Sequence, residues 1–593
     1  MRWRWLLLTG GVMFGTMRFA AGAHAAVPAG QFRRLCADFW GDYLKTHPTF
    51  ATSINVHDWD DQLEDITPQA NERLRQRLQD FLDRAQSLDP GVLNDQEQVD
   101  RAALIEELQS ELAVLQCDFG SWVVDAINGP QNAFNNLPDI TTIQNGVQGR
   151  AYIARCKAIP KYLDDQMRNL RRGLQRRRVA THDAVRRVIE QIDAELDKPE
   201  DEWPLLRVLP NSPAGSTGAS FSDPEFERSL REVVSTEVKP AYRRYRDFLA
   251  REILPAARPP EKPGIGYLPG GDQNYRLMMR VETSLPLTPE EVHALGLKLV
   301  AQNRADLATL GQKVLGTNDV AEIQKRLRGD PAMHFRTAAE IESKAESTLA
   351  RAQAAVPQWF SLLPKAKCVV KVMGEHEAAS SYVGYYREGT PDGSRPGNYV
   401  INTSQPETRT RYDAEALAFH ESVPGHHLQI AIAQELTDLP EFRRHLGVTS
   451  FVEGWALYSE RLADEMGLYS SDLDRIGMLS FDAWRDCRLV VDTGIHSMGW
   501  TRQQAIDYMR DNTVLAENNI ENEVDRYINW PGQALAYKLG QLKILELRDE
   551  AKQKLGSRFD IREFHKALLE NGAVALPVLQ DRMESWIRAQ QGR

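Results

Sequence analysis

The chain has 593 residues and a mass of 67.1 kDa, enough for one very large helical domain or two to three ordinary ones. Its composition, 42% hydrophobic and 26% charged, is that of a globular protein and suggests no disorder class. A formal charge of −11 and a pI of 5.7 make it a poor candidate for binding nucleic acid.

The first 25 residues read as a secretory signal. Arg2 and Arg4 give a positive start, Leu6 to Phe14 an apolar stretch, and Ala23-His24-Ala25 a small-x-small cleavage site. Gly10, Gly11 and Arg18 interrupt the apolar stretch, so it is not expected to span a bilayer in the mature chain. No other run is long and apolar enough to do so. Cleavage would remove three arginines and no acid, moving the formal charge from −11 to −14. Export to a periplasm is expected, and the absence of a cysteine at the cleavage point argues against a lipid anchor. Cys36, Cys117, Cys156, Cys368 and Cys487 are widely spread. One or two disulfides are conceivable in an oxidising compartment, and the odd count leaves at least one thiol unpaired.

From Gln31 to Arg258 the periodicity is helical with long polar faces. Thr67-Pro68 and Ser222-Asp-Pro224 are helix-start signals, and Asp118 to Gly146 is an Asn-rich interruption. The basic run Arg171 to Arg178 sits in a helical pattern and reads as a solvated face. Asn211 to Ser220 reads as a flexible connection. A Pro- and Gly-rich stretch, Pro259 to Gly271, marks the expected boundary between an N-terminal helical part (26–260) and a catalytic part (261–593). Beyond it, Thr288-Pro289-Glu290-Glu291 is a capping box with proline at the first helical position. A further helix is expected from Thr337 to about Leu363.

Strand signals are confined to Cys368–Met373, Ser381–Tyr386 and Asn398–Thr403, which are rich in β-branched and aromatic residues. They predict a small antiparallel sheet, with Asn398–Thr403 as the candidate edge for holding an extended peptide. His376-Glu377 copies the start of a zinc motif, but no second histidine follows within reach.

The chemistry concentrates in Ala416-Leu-Ala-Phe-His420-Glu421-Ser-Val-Pro424-Gly425-His426-His427. In H-E-x-x-H two histidines four apart share a helix face, and the glutamate between them activates water. Here Pro424 holds the fourth position. Histidines six or seven apart on a straight helix are separated by roughly 9 to 10.5 Å, too far to share an ion at ~2.0 Å. A bulge at Pro424-Gly425 would bring them together. His426, which follows a glycine as in H-E-x-G-H, is favoured as second ligand over His427. Glu453, in Phe451-Val-Glu453-Gly-Trp-Ala-Leu-Tyr458-Ser-Glu460, lies 27 residues beyond His426 and completes a His2Glu set that leaves a position open for water. Glu460, seven residues on, shares its face and is the candidate for orienting a ligand histidine. Leu457 stands where thermolysin-like enzymes carry an orienting aspartate.

These blocks, with Arg488-Leu-Val-Val-Asp-Thr-Gly-Ile-His496 and Arg526-Tyr-Ile-Asn-Trp-Pro-Gly-Gln-Ala-Leu-Ala-Tyr537-Lys-Leu-Gly540, resemble the signature blocks of the bacterial domain of unknown function 885 family. That family is regarded as a set of zinc metallopeptidases distantly similar to the gluzincins, such as carboxypeptidase Taq and angiotensin-converting enzyme. The resemblance extends over most of the mature chain. It implies a mainly α fold: a large helical metallopeptidase-like domain with the small sheet beside the active-site helix, and a deep cleft.

The expected activity is that of an exported zinc metallopeptidase, one Zn2+ per chain, hydrolysing small peptides. His420, His426 and Glu453 would hold the metal and Glu421 would act as general base. Tyr537 is the first choice for oxyanion donor, with Tyr527 and His496 as competitors. Asp492 and His496, four apart on one helix face, could form a buried pair. Arg485, Arg488 and Arg526 could clamp a substrate's terminal carboxylate, which points to carboxypeptidase or dipeptidase action. Internal salt bridges to Asp486, Asp492 or Glu523 are the expected fate of at least two of them. The alternatives are a zinc amidohydrolase acting on a non-peptide amide or cell-wall fragment, and a catalytically silent peptide-binding protein. Glu421, which a pure binder does not need, argues against the latter.

Overall fold

The computed structural model describes residues 30–210, 212–213, 221–373, 383–390 and 395–592. The signal segment, the His376-Glu377 pair and most of the 211–220 connection lie outside the described residues.

Helix starts follow their caps. Thr67 accepts from the Ala70 amide to open Pro68–Ser87, and Asp223 accepts from Glu225 and Phe226 to open Pro224–Val233. Thr288 and Glu291 satisfy each other's backbone to open α1 (Pro289–Leu315). The following long helix, α2 (Ala338–Ala355), is shorter than expected. Pro357 has no N–H to continue the i→i−4 ladder, so the segment passes into a 3-10 turn at Val356–Gln358 instead of running to Leu363.

The sheet consists of β1 (Cys368–Val372), β2 (Gly384–Arg387) and β3 (Gly397–Ile401) in the order β1-β3-β2. β3 pairs antiparallel with β2 but parallel with β1, so the sheet is mixed rather than antiparallel, and β3 lies at its centre rather than its edge. Burial explains the order. Tyr399, Val400 and Ile401 are almost fully buried, whereas β1 exposes Val369 and Val372. The strand with most apolar surface to hide takes the middle. β2 is the edge that faces the cleft.

Beyond the sheet come α3 (Ala414–Glu421), α4 (His426–Glu435), α5 (Thr449–Glu465), α6 (Asp472–Ser497), α7 (Glu517–Asn529) and α8 (Ala536–Leu555). α5 and α8 pack backbone to backbone at Gly454 and Gly540. A Cβ on Gly540 would lie 1.8 Å from the Ser450 carbonyl oxygen, and one on Gly454 would lie 2.5 Å from the Gly540 Cα. Beneath α3 to α5 lies an apolar core that includes Phe360, Phe419, Leu428, Trp455, Tyr458 and Leu568. A second core is built within 124–253. A third, around Phe32, Phe39 and Leu104, takes in Phe442 from the C-terminal half, where the buried Arg443–Asp100 ion pair reinforces the contact.

All five cysteines are free and buried, so none of the conceivable disulfides is formed. Cys36, Cys156, Cys368 and Cys487 belong to four different apolar clusters and act there as small hydrophobes. No helix among the described residues is long and apolar enough to cross a membrane. Residues from both halves of the chain line a cleft of about 2310 Å³. That is well above the roughly 300–1,000 Å³ of an ordinary small-molecule pocket.

Candidate metal centre

The centre is made by a helix that stops and starts again. α3 ends at Glu421, Ser422 leaves helical geometry, and α4 begins at His426, with a cis Val423–Pro424 peptide between them. Gly425 is needed because the chain folds back onto the end of α3. A Cβ there would lie 2.0 Å from the His420 carbonyl oxygen and 2.3 Å from that of Phe419. From α5, Trp455 Nε1 and Ser459 Oγ donate to the Pro424 carbonyl at 2.9 and 3.2 Å, fixing the break against the helix that carries Glu453.

This brings together groups that a regular helix would hold apart. The rings of His420 and His426 are 4.8 Å apart and nearly perpendicular. Glu453 Oε2 lies 3.6 Å from Nε2 of His420 and 3.5 Å from Nε2 of His426. Two donors on a tetrahedral ion at ~2.0–2.1 Å stand about 3.3–3.4 Å apart, so these separations suit a divalent cation of zinc's size. Glu453 Oε2 is also buried without a hydrogen-bond partner, an expensive state for a carboxylate and one that a cation relieves. His420, Glu421 and His426 each offer a ligand atom within 4.8 Å of the others and could hold a metal ion.

The charges favour the same reading. His420 Nδ1 lies 2.8 Å from Glu460 Oε1. With the proton on Nδ1, the Nε2 lone pair is left facing Glu453. Burial opposes protonation of His420, but Glu453 and Glu460 outweigh it and hold its pKa up to about 9. An environment so favourable to a proton also favours a metal cation. Burial also penalises the Glu453 anion, but the two imidazoles pull its carboxyl well below the usual range. Burial raises the Glu421 carboxyl, against the pull of His420 and His426.

Other predicted residues have different positions. His427 is turned out of the centre: Nε2 donates to the Ala366 carbonyl at 3.1 Å, and Nδ1 accepts from the Tyr386 hydroxyl at 3.0 Å. Burial lowers its pKa to about 4. His496 is likewise occupied, accepting from the Ile265 amide at Nδ1 and donating to the Tyr527 carbonyl from Nε2, so it has no nitrogen left to serve an oxyanion. Asp492 receives the Tyr275 hydroxyl and the Gly532 amide, so it and His496 anchor separate segments and do not pair. Tyr527 is 1% exposed and accepts from Trp484 Nε1 and Arg488 Nε.

Tyr537 does line the cleft with His420, Glu421, His426 and Glu453. Its oxygen accepts from Arg526 at 3.2 Å and Gln533 at 3.4 Å, which leaves its own hydrogen to donate. Arg488 and Arg526 share Glu523. Arg485 stands 3.7 Å from Glu460, and Asp486 pairs instead with Lys538.

Sequence reasoning missed Trp484, whose ring lies 4.5 Å from the guanidinium carbons of both Arg485 and Arg488. Its adjacency to the two arginines in Trp484-Arg-Asp-Cys-Arg488 was the available signal. It also missed the cleft-lining residues Asn135, Asp139 and Arg187, which come from the N-terminal half without any motif.

Fold and centre together define a mainly helical protein in which two buried histidines and two half-buried carboxylates cluster in a large cleft. Residues 48–583 match the family described as bacterial protein of unknown function (DUF885), and the chain belongs to that family. A crystal structure of a "putative lipoprotein" from Colwellia psychrerythraea is similar at 26% identity and a TM-score of 0.87, over 94% of this chain and 99% of that one. The structure of a "putative lipoprotein of unknown function" from Shewanella oneidensis shares the fold at 18% identity and a TM-score of 0.74, over 94% and 100% of the two chains. No curated protein matches.

Proposed function

We propose that this protein is an exported zinc-dependent peptidase that cleaves peptides in the cleft. The observation that carries the reading is the convergence of His420 Nε2, His426 Nε2 and the unpartnered Glu453 Oε2 at ligand spacing, with Glu421 beside them. In this reading His420, His426 and Glu453 hold the ion, and Glu460 orients His420. Zinc, when bound, supplies Lewis-acid activation of water and of the scissile carbonyl.

The chain's own residues do the rest. Glu421 takes a proton from the attacking water and returns it to the leaving amine. Its half-buried carboxylate is raised by desolvation, which sharpens it as a base, while the flanking imidazoles keep the anion accessible. The Tyr537 hydroxyl donates to the oxyanion. The β2 edge, Gly384–Arg387, takes an extended peptide by strand addition. The cleft volume suits an oligopeptide.

Export is supported by the N-terminal signal pattern and by the naming of the Colwellia relative as a lipoprotein. Metal analysis of the purified chain, together with a peptide library digested by wild type and Glu421→Gln, tests the proposal. Zinc with Glu421-dependent cleavage is expected. Zinc without peptide cleavage would favour action on a non-peptide amide, and absence of zinc would favour a silent binder.

A further inference from the structure

Beside the candidate metal centre three arginines gather around Tyr537 on the cleft wall. Arg485 and Arg488 stand one turn apart on α6, and Arg526 comes from α7. Their guanidinium carbons lie 5.9, 4.3 and 6.0 Å from the Tyr537 ring centroid. One carboxylate, Glu523, serves two of them, 2.9 Å from Arg488 and 3.3 Å from Arg526. Glu460, 3.7 Å from Arg485, is already committed to His420. Glu282 is within electrostatic reach of Arg526 but receives the Trp530 indole, and burial raises its carboxyl toward the neutral form. Asp482 and Asp486 are engaged by Lys538, with Arg461 also on Asp482.

Two donors remain unused. Arg488 lines the cleft with a side chain only 2% exposed, yet its Nη1 is buried without a hydrogen-bond partner, and so is Arg485 Nε. The other face of Arg488 is fully held: Nε donates to Tyr527, Nη2 to Glu523, and Trp484 stacks on it. Leaving a cationic donor buried and unpaired costs more than an ordinary missing hydrogen bond. A rigid guanidinium in this state is preorganised for an anion, and carboxylates match its planar fork.

We infer that Arg488, with Arg526 beside it, receives the C-terminal carboxylate of the substrate, so that the protein acts as a carboxypeptidase on peptides with free C termini. The inference rests on the peptidase reading above and deepens it. Each turnover would consume one water: the scissile C–N bond breaks, the water oxygen joins the carbonyl carbon, and the leaving nitrogen gains a proton, giving a C-terminal fragment and a shortened peptide with a new carboxylate.

The test separates binding from cleavage. The zinc-loaded Glu421→Gln protein is titrated calorimetrically with a pentapeptide library in free-acid and C-terminal amide forms, and wild type is given the same libraries with products read by mass spectrometry. A charge-assisted bidentate contact predicts acid binding tighter than amide binding on the order of tenfold to a hundredfold. Adding Arg488→Met should bring that ratio toward one by weakening the acid alone. Should Arg488→Met fail to fold, Arg488→Lys keeps a charge beside Glu523 without the fork and should lower the ratio; the comparison of acid and amide needs no Arg488 variant at all. Equal affinity for acid and amide overturns the inference, and equal cleavage of both would then leave the peptidase reading standing. An acid preference without cleavage in wild type would instead retain the carboxylate receptor and remove the peptidase reading.

Discussion

Glu421 and Glu453 are both half-buried beside the same two histidines, yet their surroundings assign them different work. Glu453 is drawn toward its anion by two imidazoles, and its Oε2 has no other partner, as expected of a ligand. Glu421 is pushed the other way by burial, as expected of a group that must accept and release a proton. Glu421→Gln should therefore keep its metal and lose about 10²–10⁴-fold in kcat on any cleaved peptide; a variant as active as wild type would remove Glu421 from the chemistry. Glu460→Gln replaces the carboxylate that orients His420 and should weaken zinc binding about 10–100-fold in a competition titration with a chelator. His427→Ala should leave zinc content unchanged, because both its ring nitrogens are spent on Ala366 and Tyr386.

At the scale of elements, the decisive feature is the break between α3 and α4. It was legible because Pro424-Gly425 lies between histidines too far apart for a regular helix, and Glu453 and Glu460 were legible because seven residues return to the same helix face. The helix starts at Thr67 and Thr288 were legible for a similar reason, since a cap is a local interaction. The strand order was not. Which strand takes the centre depends on how much of Tyr399 and Ile401 the core hides, and that is decided by Phe419 and Leu428 rather than by the strand's own sequence. The choice between His426 and His427 also awaited the fold, because the Tyr386–His427 contact joins residues 41 apart. Gly425→Ala tests the break directly. Its methyl would collide with the His420 and Phe419 carbonyls, and the variant should lose about 1–3 kcal/mol in denaturant unfolding together with zinc affinity. Unchanged values for both would mean that the turn has room to spare.

Across the whole molecule, buried charge networks tie the C-terminal helices together. Burial opposes ionisation of Glu523, but Arg526 and Arg488 more than offset it and take its pKa from 4.5 down to about 2. Because the folded value is depressed, the stabilisation is present above the unfolded value near 4.5 and is lost as pH falls toward 2. At about 1.36 kcal/mol per pKa unit it is on the order of 3 kcal/mol. The stability gap between wild type and Glu523→Gln should therefore be widest above about pH 4.5 and close on acidification; a gap independent of pH would contradict the pairing. The N-terminal half supplies part of the cleft wall through dispersed polar residues such as Asn135 and Asp139. Such a wall leaves no trace in sequence, because each residue acquires its role only through the packing of one half on the other.

The central claim is that His420, His426 and Glu453 together hold a zinc ion while Glu421 stands free to act on water. The most direct measurement is the metal content, by mass spectrometry after identical dialysis, of wild type, Glu421→Gln and Glu453→Gln. About one zinc per chain is expected in the first two and almost none in the third. A metal-free wild type, or zinc retained by Glu453→Gln and lost by Glu421→Gln, would contradict it.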